Sequence, residues 1–223
     1  MQNRPLADRL RPESLDDIVG QAHLFGKNGV VRKMLEGGRV TNMIFFGPPG
    51  TGKTTAANIV AKASDMALYK LNATTASLAD VKEVVAQAQN LFGAKGTLLY
   101  LDEIQYFNRK QQQSLLEYIE DGRVTLIAST TDNPYFCIYN AILSRCAVFE
   151  FKPVPREEIK RALRRGLDAL NADSGRTAAA DEDALDFIAG VGGGDVRSAL
   201  GVLENVYAVA KDKITRADAE QFT

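Results

Sequence analysis

Residues 43–54 read Met43-Ile44-Phe45-Phe46-Gly47-Pro48-Pro49-Gly50-Thr51-Gly52-Lys53-Thr54. Four apolar residues deliver the backbone into a glycine-rich turn, and the turn opens a helix at Thr54. Glycines let successive backbone N–H groups curl around an anion without side-chain clash. The helix N-terminus adds partial positive charge at the same place. Lys53 has the reach to meet β- and γ-phosphate oxygens, and the Thr54 hydroxyl can hold Mg²⁺. Gly47 to Thr54, followed by Thr55, is therefore expected to bind nucleotide phosphates. The plainer reading, a glycine-rich turn that binds nothing, leaves the ordered succession of strand, loop, Lys-Thr and helix unexplained.

Composition narrows what can surround this loop. A chain of 223 residues holds one large domain, or one plus a small one, at about 150 residues per domain. Hydrophobic residues at 45% and charged residues at 25% are those of an ordinary soluble globular protein. The net charge of −1 gives no global basic field for nucleic acid and leaves only a local patch possible. The one histidine, His23, excludes multi-histidine metal sites and argues against histidine-based triads. Cys137 and Cys146 lack metal-ligand spacing and read as packing residues in a reducing compartment. No segment approaches about 18 apolar residues, and Met1-Gln2-Asn3-Arg4-Pro5 is no secretory signal. The expected compartment is the cytoplasm, with no membrane partner.

Strand and helix patterns alternate on either side of the loop. Residues 1–42 carry no sustained period and contain Arg-Pro twice, so an extended lead-in with short helices is expected, one of them over Val30 to Leu35 before Gly37-Gly38. Strands are expected at Met43–Phe46, Ala67–Leu71, Thr97–Leu101, Val124–Ser129 and Ala147–Phe151. Helices are expected at Thr54–Ala63, Leu78–Gln89 and Arg109–Glu120. Short apolar strands separated by helices predict an α/β fold, a five-stranded parallel sheet covered on both faces. Past Lys152-Pro153-Val154-Pro155 the strands stop, and Arg156–Leu170, Asp181–Ala189 and Asp195–Ala210 predict a small all-helical domain over 153–223. Asp181 and Asp195 are the expected N-caps.

Further candidates lie at strand ends. Leu98-Leu99-Tyr100-Leu101-Asp102-Glu103 closes the third strand, and carboxyl ends of strands face the ligand crevice in a doubly wound sheet. Asp102 can hold Mg²⁺ through water, and Glu103 is placed to orient and deprotonate an attacking water. An apolar run ending in acids is common by itself; beside the loop at 47–54 it gains meaning. Ala128-Ser129-Thr130-Thr131-Asp132-Asn133 ends the fourth strand: either a polar contact to the γ-phosphate or a hydroxyl-rich turn. Arg145, in Ser144-Arg145-Cys146, and Arg197, in Gly194-Asp195-Val196-Arg197, are either surface charges or stabilisers of charge on a transferred phosphoryl group.

Taken in order, these motifs resemble an AAA+ ATPase of the clamp-loader clade. Pro5-Leu6-Ala7-Asp8-Arg9-Leu10-Arg11-Pro12 with Ile18-Val19-Gly20-Gln21 is similar to that clade's adenine-binding segment. Asp102-Glu103-Ile104-Gln105-Tyr106-Phe107-Asn108 with Gln111-Gln112, then Ser129-Thr130-Thr131-Asp132-Asn133-Pro134, is similar to the replication-associated recombination protein A family, bacterial counterpart of the Werner helicase-interacting protein family. The similarity runs over nearly all of residues 4–210. It implies Walker A at Gly47–Thr54, Walker B at Asp102 and Glu103, with Mg²⁺ on Thr54 and Asp102, and adenine contacts at Leu6, Arg9, Ile18 and Val19. It further implies sensor 1 at Thr131, Thr130 being the lesser choice, and a restraint on Glu103 from Asn72. Arg145 would be a finger acting on a neighbouring subunit's ATP, and Arg197 would be sensor 2.

The implied activity is Mg-dependent ATP hydrolysis coupled to DNA remodelling at stalled forks in the bacterial cytoplasm, associated with the nucleoid. Implied partners are single-stranded, gapped or forked DNA, single-stranded-DNA-binding protein, replisome components and further copies of the chain. A clamp-loader subunit, a Holliday-junction branch-migration motor and a nucleotide-stiffened scaffold remain as alternatives. Two departures matter. The family commonly has His-Arg where this chain has Gln105-Tyr106, which leaves those two side chains without an inherited role. Family chains also continue into a helical oligomerisation domain, so a stop at Thr223 implies truncation after the lid and a weak ATPase as a monomer. Finally, Lys160, Arg161, Arg164 and Arg165 form either a phosphate-contacting patch or a solvated helix face, while Tyr106 and Phe107 either stack on a base or pack inside.

Overall fold

The computed structural model describes residues 4–88 and 96–222, so Gln89, the expected end of one helix, lies outside the described residues. The chain divides into two compact units, one of Glu13–Gly47 and Gly52–Phe151, the other of Met1–Pro12, Pro48–Thr51 and Lys152–Thr223.

The first unit is built on a parallel sheet of five strands: β1 (Met43–Phe46), β2 (Ala67–Asn72), β3 (Thr97–Asp102), β4 (Thr125–Thr130) and β5 (Ala147–Glu150). Their spatial order is β2-β3-β4-β1-β5, which puts the strand carrying the loop between β4 and β5. Side chains alternate across a strand with period two, and the core follows that rule. Met43, Phe45, Leu98, Tyr100 and Ile127 bury against Ala56, Ala57 and Val60 of the helix Lys53–Ala63. Ile44, Leu99, Leu101, Leu126 and Ala128 bury on the opposite face with Val81, Leu115 and Ile119 from the helices Leu78–Ala88 and Arg109–Glu120. Both faces being covered, the strands read as near-continuous apolar runs. Asn108 and Gln111 close a capping box at the start of Arg109–Glu120.

Register sets the site. Leu101 pairs with Ala128 and Phe46 with Thr130, so β1, β3 and β4 end at one edge. Gly47 extends that edge by donating its N–H to the Thr130 carbonyl at 3.2 Å.

The second unit packs the helices Arg156–Ser174, Glu182–Val191, Val196–Val209 and Arg216–Glu220 around Leu163, Leu185, Ile188, Leu200, Leu203 and Val206. It is built of helices as expected, with one small addition. β6 (Ala179–Ala180) and β7 (Lys213–Ile214) form a short parallel pair. Two-residue strands are too short to show any period, which is why the sequence reads as helix and loop there. Asp195 caps its helix, accepting from Ser198 N at 2.9 Å. Asp181 holds the N-cap position without capping, because its carboxylate is turned to Lys213 Nζ at 2.7 Å. The lead-in expected over 1–42 is divided: residues up to Pro12 belong to this unit and those from Glu13 to the sheet unit.

Candidate nucleotide site

The loop leaves β1 and enters its helix through Gly52, whose φ of 101° is left-handed, a conformation costly for any residue with a Cβ. From there the helical ladder begins, Ala56 N donating to the Gly52 carbonyl at 2.8 Å. Lys53 is buried at 8% exposure and donates from Nζ to the Gly47 carbonyl at 2.6 Å, so its ammonium is folded into the loop. Thr54 turns its Oγ1 to the Tyr100 hydroxyl at 3.0 Å.

That hydroxyl is the centre of a buried network. Tyr100 donates to Asp102 Oδ1 at 2.9 Å and lies 2.9 Å from Ser129 Oγ, while Ser129 itself donates to Asp102 Oδ1 through a short contact. Ser129 Oγ also accepts from the Glu103 N–H at 3.4 Å. Burial, and then the negative charge of Asp102, push the Tyr100 phenol well above its ordinary range, so it stays a hydroxyl. The side chains of Thr54 and Asp102 therefore border a single O–H group. An all-oxygen donor set of one hydroxyl and one carboxylate fits Mg²⁺, which usually takes one or two protein oxygens and fills its shell with phosphates and water. Among the described residues no cluster of three His, Cys, Asp or Glu could hold a metal without such help.

Glu103 follows with φ 54° and ψ 49°, the left-handed region that few non-glycine residues enter. Its Oε2 accepts from Gln105 Nε2 at 2.5 Å, and the same amide nitrogen lies 3.5 Å from Thr131 Oγ1. A carboxylate only accepts, which fixes the NH₂ end of Gln105 toward it; Gln105 Oε1 is left buried without a hydrogen-bond partner. Asn72, expected to restrain Glu103, uses its Oδ1 to accept from Thr74 N at 2.9 Å and Thr74 Oγ1 at 2.7 Å. Thr130 is fully buried, its Oγ1 accepting from Asp132 N at 3.0 Å, whereas Thr131 is exposed beside Gln105. Phe107 is buried and Tyr106 exposed, so the expected pair splits between packing and solvent.

Arg145 follows the short helices Pro134–Cys137 and Asn140–Leu143, exposed, with Glu120 at 2.6 Å and the Ala141 carbonyl at 2.8 Å. Surface pairs of this kind are worth about 0–1 kcal/mol, so the guanidinium is held lightly. Burial pushes the Cys146 thiol up to about 12, in keeping with a packing role. Ile18 and Val19 are half-buried in this unit.

In the helical unit, Thr51 Oγ1 donates to the Pro48 carbonyl at 2.8 Å and Val196 N to the Gly50 carbonyl at 3.3 Å. Gly50 has φ 65°, and the Asp195 carboxylate fills the space that a Cβ there would need, so glycine is favoured at this point of the loop. Arg197 is exposed in the first turn of Val196–Val209. Leu6 is fully enclosed, its N–H donating to Glu204 Oε2 at 3.1 Å, and Arg9 pairs with Asp173. The basic cluster is largely neutralised. Lys160 meets Glu182 at 2.5 Å, Glu157 at 3.4 Å and Asp186 at 3.8 Å; Arg164 meets Glu182 at 2.7 Å and Arg161 meets Glu158 at 2.9 Å. Hydrogen bonding to Glu182 raises the Lys160 pKa above its ordinary value.

Three members of the sheet-unit site have no place in the motif reading: Tyr100, Ser129 as a partner of Asp102, and Gln105. Strand alternation carries the signal for the first, since Tyr100 is two residues before Asp102 and so on its face.

Residues 43–154 match the profile of the ATPase family associated with various cellular activities (AAA). Replication-associated recombination protein A of Bacillus subtilis is 39% identical over 97% of the chain, and that of Haemophilus influenzae 37% identical over 93%. The ATPase WRNIP1 of Dictyostelium discoideum is 38% identical over 95% of the chain. The chain spans 50% and 47% of the two bacterial proteins and 24% of the Dictyostelium one. The solved structure of the Thermotoga maritima RuvB Holliday junction branch migration motor superposes with a TM-score of 0.76 at 23% identity, covering 96% of this chain and 72% of that one. At that identity the likeness is one of fold.

Proposed function

Because the chain belongs to the AAA family of ATPases, we propose that it hydrolyses Mg·ATP and couples the hydrolysis to DNA remodelling at stalled replication forks. The observation that carries the hydrolytic part is the convergence of Thr54, Asp102 and Glu103 at one sheet edge, with Thr54 and Asp102 joined through Tyr100. The DNA part is supported by the bacterial relatives named replication-associated recombination protein A.

In this reading Gly47–Thr54 and Thr55 receive the phosphates through backbone N–H groups. Lys53, already folded into the loop, turns its ammonium to the β- and γ-phosphate oxygens. Mg²⁺, when bound through Thr54 and Asp102, would neutralise charge on those oxygens. Glu103 accepts the proton of the attacking water, and Thr131 orients it. Arg145 and Arg197 enter from the sequence motifs, as cations for the transferred phosphoryl group, Arg145 toward the nucleotide of another copy of the chain. Such an arginine in trans is worth about 10³–10⁵ in rate. DNA, single-stranded-DNA-binding protein and replisome components are the proposed partners in a bacterial cytoplasm, near the nucleoid. Among the described residues no helix is long and apolar enough to cross a membrane.

The test is phosphate release with no DNA, single-stranded DNA, gapped DNA and a four-way junction, across a range of protein concentrations. Turnover that rises with concentration and with gapped or single-stranded DNA is expected, and Lys53→Ala abolishes it. Stimulation by the junction alone would turn the reading toward branch migration. Concentration-independent turnover that survives Arg145→Ala would end the trans-finger role.

A further inference from the structure

We propose that Tyr100 is a positioning residue for the divalent cation, its hydroxyl accepting a hydrogen bond from Thr54 and donating one to Asp102. The inference rests on the metal–nucleotide reading above and assigns a residue that the motifs leave out.

Three hydroxyl protons are available to four contacts, so one contact goes without: Thr54 to Tyr100 at 3.0 Å, Tyr100 to Asp102 at 2.9 Å, Tyr100 to Ser129 at 2.9 Å, and Ser129 to Asp102. Asp102 only accepts and carries the charge, so it draws the protons of both Tyr100 and Ser129 to its Oδ1, and the contact between Tyr100 and Ser129 is left without a proton of its own. The Tyr100 oxygen then has lone pairs for the Thr54 proton. This direction is the one a cation needs. A threonine that binds Mg²⁺ does so through an oxygen lone pair, and its O–H must then point away from the metal and find an acceptor. Tyr100 is that acceptor, 1% exposed and fixed in the middle of the sheet. At the other end, two hydroxyls on one carboxylate oxygen fix the Asp102 plane and leave Oδ2 for the metal or its water. Neutral hydroxyls achieve this without a competing positive charge. Phenylalanine would fill the same core volume beside Phe45 and Leu98 and provide none of it.

Outer-shell partners of metal ligands typically change metal affinity by about 10–100-fold when removed. The experiment measures ADP affinity by calorimetry in EDTA and at a series of Mg²⁺ concentrations. It compares the unmodified chain, Tyr100→Phe and Ser129→Ala. Tyr100→Phe is expected to raise the Mg²⁺ concentration at half-effect by about 10–100-fold while leaving ADP affinity in EDTA unchanged. Ser129→Ala, which touches Asp102 and not Thr54, should shift it less. On a Thr54→Ala background Tyr100→Phe should add little, since the hydroxyl it serves is gone. A Mg²⁺ midpoint in Tyr100→Phe equal to that of the unmodified chain would overturn the role while leaving the metal site standing. ADP binding that ignores Mg²⁺ in the unmodified chain would remove the site itself, and the positioning role with it. Should Tyr100→Phe not fold, Tyr100→Leu, the residue type of its strand neighbours, carries the same test.

Discussion

Asp102 at the sheet edge and Lys160 in the helical unit are both charged and both well supplied with partners, yet the partners differ in kind. Asp102 takes its hydrogen bonds from the neutral hydroxyls of Tyr100 and Ser129. Lys160 is ringed by Glu157, Glu182 and Asp186. A charge solvated by neutral dipoles keeps its field for an incoming ion; a charge facing opposite charges has already lost most of it. Convergent polar side chains therefore mark a ligand site only when their mutual bonds leave net charge uncancelled. On that criterion the loop edge keeps charge for a ligand, as the proposed function requires, and the basic helix face spends most of its charge on ion pairs.

The widest separation between the two regions should appear on Glu103→Gln, which is expected to slow hydrolysis by about 10²–10⁴-fold with nucleotide binding kept. Unchanged steady-state phosphate release would return the edge to the status of the helix face. Next, Gln105→Met keeps length and packing but removes the N–H held at 2.5 Å from Glu103. Its kcat should fall about tenfold, some 1.4 kcal/mol of barrier, at unchanged KM, and Gln105→His should restore most of it by supplying another N–H. Asp195→Ala removes a helix cap and should cost about 1 kcal/mol in denaturant unfolding. Reversing Arg161 and Arg164 together to Glu tests the helix face directly. If both touched phosphates, the logarithmic salt dependence of DNA binding would lose about two units of slope; the pairing predicts no measurable change of slope. The smallest effect concerns acid. Lys160 first, and then Arg164, hold Glu182 below its ordinary pKa. That stabilisation is complete above the ordinary carboxylate range and is lost as pH falls through the lowered value. Glu182→Gln should therefore lose less melting temperature on acidification than the unmodified chain.

Much of this contrast is legible in the residues themselves, and the parts that are not have physical reasons. β1 and the loop are readable because glycines, Lys53 and an apolar run are each rare in that order. The expected strands at 67–71, 97–101 and 124–129 differ from β2, β3 and β4 by a residue or so at their ends, where propensity is weakest. β6 and β7 escape notice because pairing of two-residue strands is decided by tertiary contact. The Tyr100 hydroxyl is hidden because tyrosine counts as apolar in a buried strand and reveals its polar end only when β4 brings Ser129 alongside. Gln105 is hidden for a different reason. The motif comparison leaves the position without a role because its residue differs, while the geometry depends only on an N–H within reach of Glu103. The neutralisation of Lys160 is legible least of all, since Glu182 and Asp186 arrive from another helix more than twenty residues away.

With Glu103 as the proposed base, its left-handed backbone sets stability and activity against each other. An L-residue with a long side chain held at φ 54° carries about 1–2 kcal/mol that glycine, and to a lesser degree asparagine, would avoid. Any search of variants for thermal tolerance alone should thus be drawn to position 103 and return proteins that survive heat and no longer turn over.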